Sequence, residues 1–353
     1  MKKIATKDLR EGMVTGREVL SGDGVVLLEK GTRLSIWQIA NLRNWLIPSV
    51  FIADGGEEEA APDGPSAATF VGEYVRTVDD VRRAFEHIRL FHEVPVLEME
   101  ELAEERITFL AETIGVLDHL YEVKMRSDHT FQHSLNVAII AAVLGRWLKY
   151  RGAELKNLIL SALLHDIGKL FVPLAVLNKP GALSTGEYAV IKSHPFEGYR
   201  LVADSALAES VKLGVLQHHE RLDGSGYPSR LQGDAIHDFA QIIAIVDIYD
   251  AMTSDRTYRR RLTPLAALQA IADQMHEKLS TGLCITFLDN MREYFTGSSV
   301  LLSTGQRARI IVLNTRDRHW TKPVVCAPDG RLFDLEKEDI GIVDLVDEGA
   351  NRA

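Results

Sequence analysis

Disulfide staples, long apolar runs and an excess of positive charge are all missing from this chain. Only two of its 353 residues are cysteine, Cys284 and Cys326, and they stand far apart without a paired motif. That excludes a disulfide framework and suits a reducing compartment, so a cytoplasmic location is expected. No apolar run approaches the roughly 20 residues that a membrane-crossing helix needs. The opening MKKIATKDLREGM has two lysines but no apolar stretch behind them, so no secretory signal is read there. With 40 Lys and Arg against 50 Asp and Glu, the formal net charge is −10. Domains that grip nucleic-acid polymers usually carry a basic face, so that role is disfavoured. An anionic substrate would need local positive charge, supplied by metal ions and a few Lys or Arg.

The chain is long enough for two domains with small additions. Residues 1–54 read as a small mixed α/β module. It has a hairpin turning near Gly22 and Gly24, a helix from Ser35 to about Leu46 capped by Ser35, and a strand in SVFIAD. The stretch DGGEEEAAPDGPSAA is rich in Gly, Pro and acids and reads as a linker, placed at 55–69. Residues 70–127 read as connecting helices, with Thr77 as the cap of TVDDVRRAF. Over 98–126, Ile107, Leu110, Ile114, Leu117 and Leu120 recur at helical steps. That stripe suits a helix packed on the core or, alternatively, the seam of a homodimer. HSLNVAIIAAVLGRWL and LKNLILSALLHDIGK are apolar nearly all round, as buried helices are. After Gly297, ARIIVLNT, KPVVCAP, RLFDL and IGIVDLV predict a small C-terminal β unit over 298–353. Because chain termini often lie close, that unit is expected to pair with the N-terminal module.

The chemistry-bearing residues are unevenly placed. His165 and Asp166 end a buried apolar helix, where an unpaired carboxylate is costly and a metal would explain it. Neighbours on a helix point about 100° apart, so the two could address different ions. His218 and His219 end VKLGVLQHH and lead into the Gly-rich turn HHERLDGSGYP. Asp247 and Asp250 interrupt a strongly apolar helix at a three-residue step and so share a face. His133 opens the buried helix HSLNVAII, and His194 lies in SHPFEG. Each of these taken alone has an ordinary explanation, as a helix-end histidine, a cap or a solvated acid.

Together, and in order, they resemble the ligand series of the HD-GYP phosphohydrolases. The series is His133, His165-Asp166 with Lys169, His194-Pro195, His218-His219 and Asp247. The linking strings agree as well: LLHDIGK, PLAVLNKPGALSTGEYAVIKSHPFEGYRL, HHERLDGSGYP and IVDIYDAMTSDRTYR. The resemblance covers about residues 128–280 and includes the tripeptide Gly226-Tyr227-Pro228. It implies a mainly α fold, an HD-type helical bundle placed here at 128–297 between the small α/β module and the C-terminal β unit.

Members of that family cleave cyclic di-GMP to pGpG and often on to GMP. They do so with two or three metal ions, frequently iron and sometimes manganese. The implied ligands here are His133, His165, Asp166, His194, His218, His219 and Asp247, with Asp166 bridging two ions. Two ions roughly 3.5–4 Å apart can activate a water and steady both the attacking and leaving oxygens. Lys169 resembles the family's phosphate-contacting lysine, and Arg256 and Arg259 match a second cationic pair suited to bidentate phosphate contact. Tyr227 would hold the loop or touch substrate, and Arg221 with Asp223 could brace the loop as a salt bridge. In the family this loop is also linked to contacts with partners, including diguanylate cyclases.

One position departs from part of the family. Three-metal members carry a glutamate four residues before the first histidine ligand, where this chain has His129. Two ions are therefore expected, a third near His129 being the alternative, and pGpG is favoured as product. The imidazole and carboxylate donors suit iron, manganese, nickel or zinc; the resemblance favours iron or manganese. Two other functions stay open: a catalytically weak cyclic di-GMP sensor or cyclase-docking module, and a phosphohydrolase of the wider HD superfamily acting on another nucleotide.

Overall fold

A computed structural model describes residues 1–10, 12–20, 26–28, 30–32, 34, 39, 42, 47–53, 67–113, 115–123, 129–177, 179, 181–254, 261–313 and 320–346; for 20, 26, 27, 67, 68, 122, 129 and 130 only the backbone is described. The chain divides into two compact units, Met1–Gly64 and Pro65–Ala353.

In the first unit, β1 (Lys2–Ala5) pairs antiparallel with β4 (Ser49–Ile52), and β2 (Val19–Leu20) pairs antiparallel with β3 (Val26–Leu28). The last pair flanks the expected turn at Gly22 and Gly24, which itself lies outside the described residues, as does the expected Ser35 cap. Leu9, Val19, Leu34, Ile39, Leu42, Val50 and Ile52 bury a small core.

The second unit begins with α1 (Ala67–Phe91). Thr77 does not cap it. It is buried mid-helix, its hydroxyl donating to the Glu73 carbonyl at 2.8 Å. The helix is set by an earlier apolar stripe, Phe70, Tyr74, Val78, Val81, Phe85 and Ile88, all buried at steps of three and four. Next come α2 (Val96–Glu101), a π-helical turn over Leu102–Ile107, and α3 (Thr108–Glu112). The amphipathic run then breaks at Thr113, whose ψ is 131°, and at Gly115, whose φ of +74° suits glycine, before α4 (Val116–Val123) resumes. Ile107, Leu110, Leu117 and Leu120 are all buried in the unit's own core, so that stripe is not a free dimer seam. Ile114 lies outside the described residues.

The bundle continues with α5 (His129–Trp147), α6 (Gly152–Leu164), a 3-10 turn (Ile167–Phe171), α7 (Leu174–Leu177), α8 (Thr185–Lys192), α9 (His194–Val202), α10 (Glu209–Gln217), α11 (Asp238–Thr253), α12 (Pro264–Gln274) and α13 (Thr281–Phe295). Helices α5 and α6 pack on each other, α10 lies on α6, and α11 lies on both α5 and α10. Leu135, Val137 to Leu144 and Leu158 to Leu164 are buried, as expected of helices apolar all round. Helix α5 starts four residues before His133, so His133 sits one turn inside it.

The C-terminal strands form one antiparallel sheet: β5 (Ser299–Leu302), β6 (Arg307–Val312), β7 (Val324–Cys326), β8 (Leu332–Asp334) and β9 (Ile342–Leu345), in the order β8-β7-β6-β5-β9. Among the described residues, the strands of each unit pair within that unit. Val300, Leu302, Ala308, Ile310 and Val325 join the helical core. Alternation explains it: one face of β5 and β6 is apolar and needs a cover. No helix among the described residues is long and apolar enough to cross a membrane.

Candidate metal centre

The HD pair sits where α6 runs out. His165 keeps helical angles, and Asp166 leaves them at φ −98° and ψ 7°, in the sparsely allowed bridge region. The 3-10 turn that follows lies hard against the start of α9. Only glycine fits at its second residue: a Cβ on Gly168 would stand 2.0 Å from the His194 carbonyl oxygen and 2.6 Å from the Gly198 nitrogen. That close approach brings His194 Nε2 to 3.1 Å from Asp166 Oδ1.

Helix α5 supplies His133, the end of α10 supplies His218 and His219, and α11 supplies Asp247. The expected side chains converge as two adjoining groups. Asp166, His194, His218 and His219 offer donor atoms within 4.8 Å of one another, and so do His133, His165 and Asp247. Asp166 stands between the groups. Its Oδ1 lies 3.1 Å from His194 Nε2 and 3.8 Å from His218 Nε2. Its Oδ2 lies 3.4 Å from His165 Nε2 and 3.5 Å from His133 Nε2. His133 Nε2 is 3.1 Å from Asp247 Oδ1.

The far nitrogens show how the rings are held. Nδ1 of His165, His194 and His218 lies 2.7, 2.7 and 2.8 Å from the carbonyls of Ala162, Ile191 and Val215, each three residues back. A carbonyl only accepts, so Nδ1 carries the proton and Nε2 keeps its lone pair facing inward. Nε2 of His194 and Nε2 of His218 then face each other at 3.2 Å, acceptor against acceptor. Nε2 of His165 and Oδ1 of Asp166 are buried with no hydrogen-bond partner among the described residues. Such a set is costly by itself and well matched to divalent cations. His133 differs: its Nδ1 meets the Asp250 carboxylate at 2.7 Å.

The charges agree. Burial, and then the neighbouring imidazoles, hold His218 well below the ordinary histidine range. Burial also depresses His219, against the pull of Asp247. Both are therefore neutral, as ligation requires. Burial works to raise Asp166, but Lys169 and His165 hold it well below the carboxylate range. Asp247 is likewise kept low against its burial, mainly by His133. His133 is the exception: burial is outweighed by Asp247 and Asp250, which push it up to about 9, so it must release a proton to ligate.

Lys169 lies at the edge, its ammonium 2.5 Å from Asp166 Oδ2. Tyr227 stacks on His219, with ring centres 4.7 Å apart at 28°. The expected Arg221–Asp223 salt bridge is not formed. Arg221 donates to the carbonyls of Glu220 and His218, while Asp223 accepts from the Ser225 N–H at 2.9 Å. Local backbone acceptors are nearer, so they win. The loop is braced by Glu220 instead, a buried carboxylate accepting from the N–H groups of Ser229 at 2.7 Å and Leu231 at 3.1 Å. A Cβ on Gly226 would lie 2.4 Å from the Arg221 nitrogen, so this position too admits only glycine. Arg256 and Arg259 lie outside the described residues, and so does the side chain of His129.

Sequence reasoning missed Glu220, Gly168 and Lys192, whose ammonium sits 5.0 Å above the Tyr227 ring and 4.6 Å above that of Tyr188. A cation two residues before His194 was the available signal for the last. Asp250 was noticed only as sharing a face with Asp247.

Residues 120–280 match the family model described as HD domain. A cyclic di-GMP phosphodiesterase of Pseudomonas aeruginosa is 30% identical over 242 residues, covering 68% of this chain and 58% of that protein. A 3'3'-cGAMP-specific phosphodiesterase of Vibrio cholerae is 40% identical over 161 residues, covering 45% of this chain and 36% of that protein. The cyclic di-GMP phosphodiesterase response regulator of Xanthomonas campestris is 36% identical over 173 residues, covering 48% and 43%. The chain thus spans between about a third and three fifths of the length of these relatives. Among solved structures, an HDG"Y"P protein of Bdellovibrio bacteriovorus shares the fold at 18% identity, with a TM-score of 0.54 over 82% of this chain and 99% of that one. Residues 120–280, which carry the His/Asp cluster, thus match the HD domain family.

Proposed function

We propose that this chain is a metal-dependent phosphodiesterase that opens cyclic di-GMP to pGpG in the cytoplasm. The observation that carries the proposal is the split of Asp166, one oxygen toward each of two groups of inward-facing donors. His133, His165 and Asp247 would hold one divalent ion and His194, His218 and His219 the other, with Asp166 between them. Iron or manganese is favoured by the family resemblance and suits the donors. When bound, such a pair supplies an activated water and positive charge for the phosphoryl oxygens.

The chain's own contribution is placement and charge. The Lys169 ammonium is within reach of a phosphoryl oxygen brought to Asp166, and it would stabilise charge there as the bond breaks. Arg256 and Arg259 are proposed to hold the second phosphate, and Tyr227 to keep His219 in place while presenting its edge to a base. The exposed Pro228, Ser229 and Arg230 beyond Tyr227 offer a surface for a cyclase partner. His129 at the position of the third-metal glutamate favours a stop at pGpG.

The Vibrio cholerae relative favours a second reading, a different cyclic dinucleotide such as 3'3'-cGAMP. Anaerobic purification, metal analysis and a timed product assay on both dinucleotides separate the readings. Two metals per chain with pGpG as product is the expected result. Metal with turnover of 3'3'-cGAMP alone supports the second reading. Absence of both metal and product would leave a sensor or docking module.

A further inference from the structure

We infer that the two halves of the metal centre are unequal, and that Asp250 is the positioning residue that makes the His133–His165–Asp247 half the tighter, first-filled cation site. The inference rests on the metal-centre reading proposed above and goes beyond it. His165, His194 and His218 lean their far nitrogens on neutral backbone carbonyls. His133 alone among these leans on a carboxylate, Asp250 Oδ2, at 2.7 Å and nearly fully buried. A carboxylate behind a ligating imidazole fixes the ring and makes it a stronger donor.

Counting charge points the same way. Asp166 is shared, an oxygen to each half. Beyond it, once His133 gives up its proton to ligate, one half has Asp247 and Asp250 for two negative charges, offset by the single positive charge of Lys169 on Asp166 Oδ2. The other half has only the imidazoles of His194, His218 and His219. In a buried, poorly screened setting a net negative half outbids a neutral one for a dication. Asp250 touches no ion in this scheme and acts through His133.

The test is a stepwise Mn(II) titration of the metal-stripped full chain against a fluorescent chelator. The wild type should bind two ions in resolved steps, the first about tenfold or more tighter. Asp250→Asn keeps the size and an acceptor but removes the charge. It should weaken the first step on the order of 10–100-fold and move the second by less than about threefold. Circular dichroism checks that the variant is folded. A His194→Ala/His218→Ala variant should keep the tight step, and a His133→Ala/Asp247→Ala variant should lose it. Equal affinities in the wild type, equal weakening of both steps by Asp250→Asn, or a tight step surviving only in the second double variant would each overturn the inference. A wild type that binds no Mn(II) at all would instead sink the metal-centre reading on which it stands.

Discussion

Replacing Gly168 by alanine tests how the centre is assembled without touching a single donor atom. The added Cβ would sit 2.0 Å from the His194 carbonyl oxygen, 2.9 Å from its carbon and 2.6 Å from the Gly198 nitrogen. Ordinary contact distances are about 3.5 Å or more, so the turn and the start of α9 must separate by about 1 Å or more. These obstacles are backbone atoms that cannot rotate away, which puts the cost at the upper end for overpacking, about 3 kcal/mol. At roughly 2–4 °C per kcal/mol for a unit of this size, Tm should fall by roughly 6–12 °C. His194 would be carried away from Asp166, now 3.1 Å distant, so metal affinity should fall on the order of 10–100-fold. Thermal melts of the metal-free protein and a metal titration read the two effects separately. Gly72 is the control: it is exposed within α1 with nothing within 4 Å of its would-be Cβ. Gly72→Ala should therefore stabilise by about 0.5–1 kcal/mol. If Gly168→Ala melts within about 2 °C of the parent and binds metal unchanged, the close approach of the turn and α9 is refuted.

Asp166→Ala should lose metal and activity together, whereas Lys169→Ala should keep both ions by mass spectrometry and lose rate; turnover retained in the Asp166 variant would refute the bridge. Glu220→Ala leaves the Ser229 and Leu231 N–H groups without their carboxylate, which should cost about 2–3 kcal/mol. Hydrogen exchange at those two amides should quicken while metal content holds. Glu187 accepts from Lys179 and from the Ser184 N–H, which hold its carboxyl down at about 2 against an ordinary 4.5. Because the folded value is the lower one, this support of α8 is present above about 4.5 and fades as pH falls toward 2. In Glu187→Gln the amide protection of α8 should lose that acid dependence.

Much of the site was legible because chemistry-bearing residues stood where burial makes them expensive. An Asp after LLH at the end of a buried helix, or Asp247 within IIAIVDIYD, has few structural excuses. The apolar helices α5, α6 and α11 were equally readable, being buried on all sides. The first turns of α1 were less so: before Thr77 only Phe70 and Tyr74 of its buried stripe are present, and Gly72 between them is a weak helix former. Strand β5 was missed because four residues carry too little alternation to stand out.

Residue types and their order by themselves determined which atoms could bind a cation and which helices had to be buried, because both follow from side-chain chemistry. Only the tertiary structure decided that six donor side chains meet as two groups of three on either side of Asp166. It also decided that Asp250 serves His133, that Glu220 holds the glycine-rich loop, and that the stripe on α2 to α4 is spent inside the chain. Those outcomes depend on distances between segments up to 117 residues apart. Such distances are set by how closely backbones approach, at Gly168 above all, and no local pattern of letters encodes them.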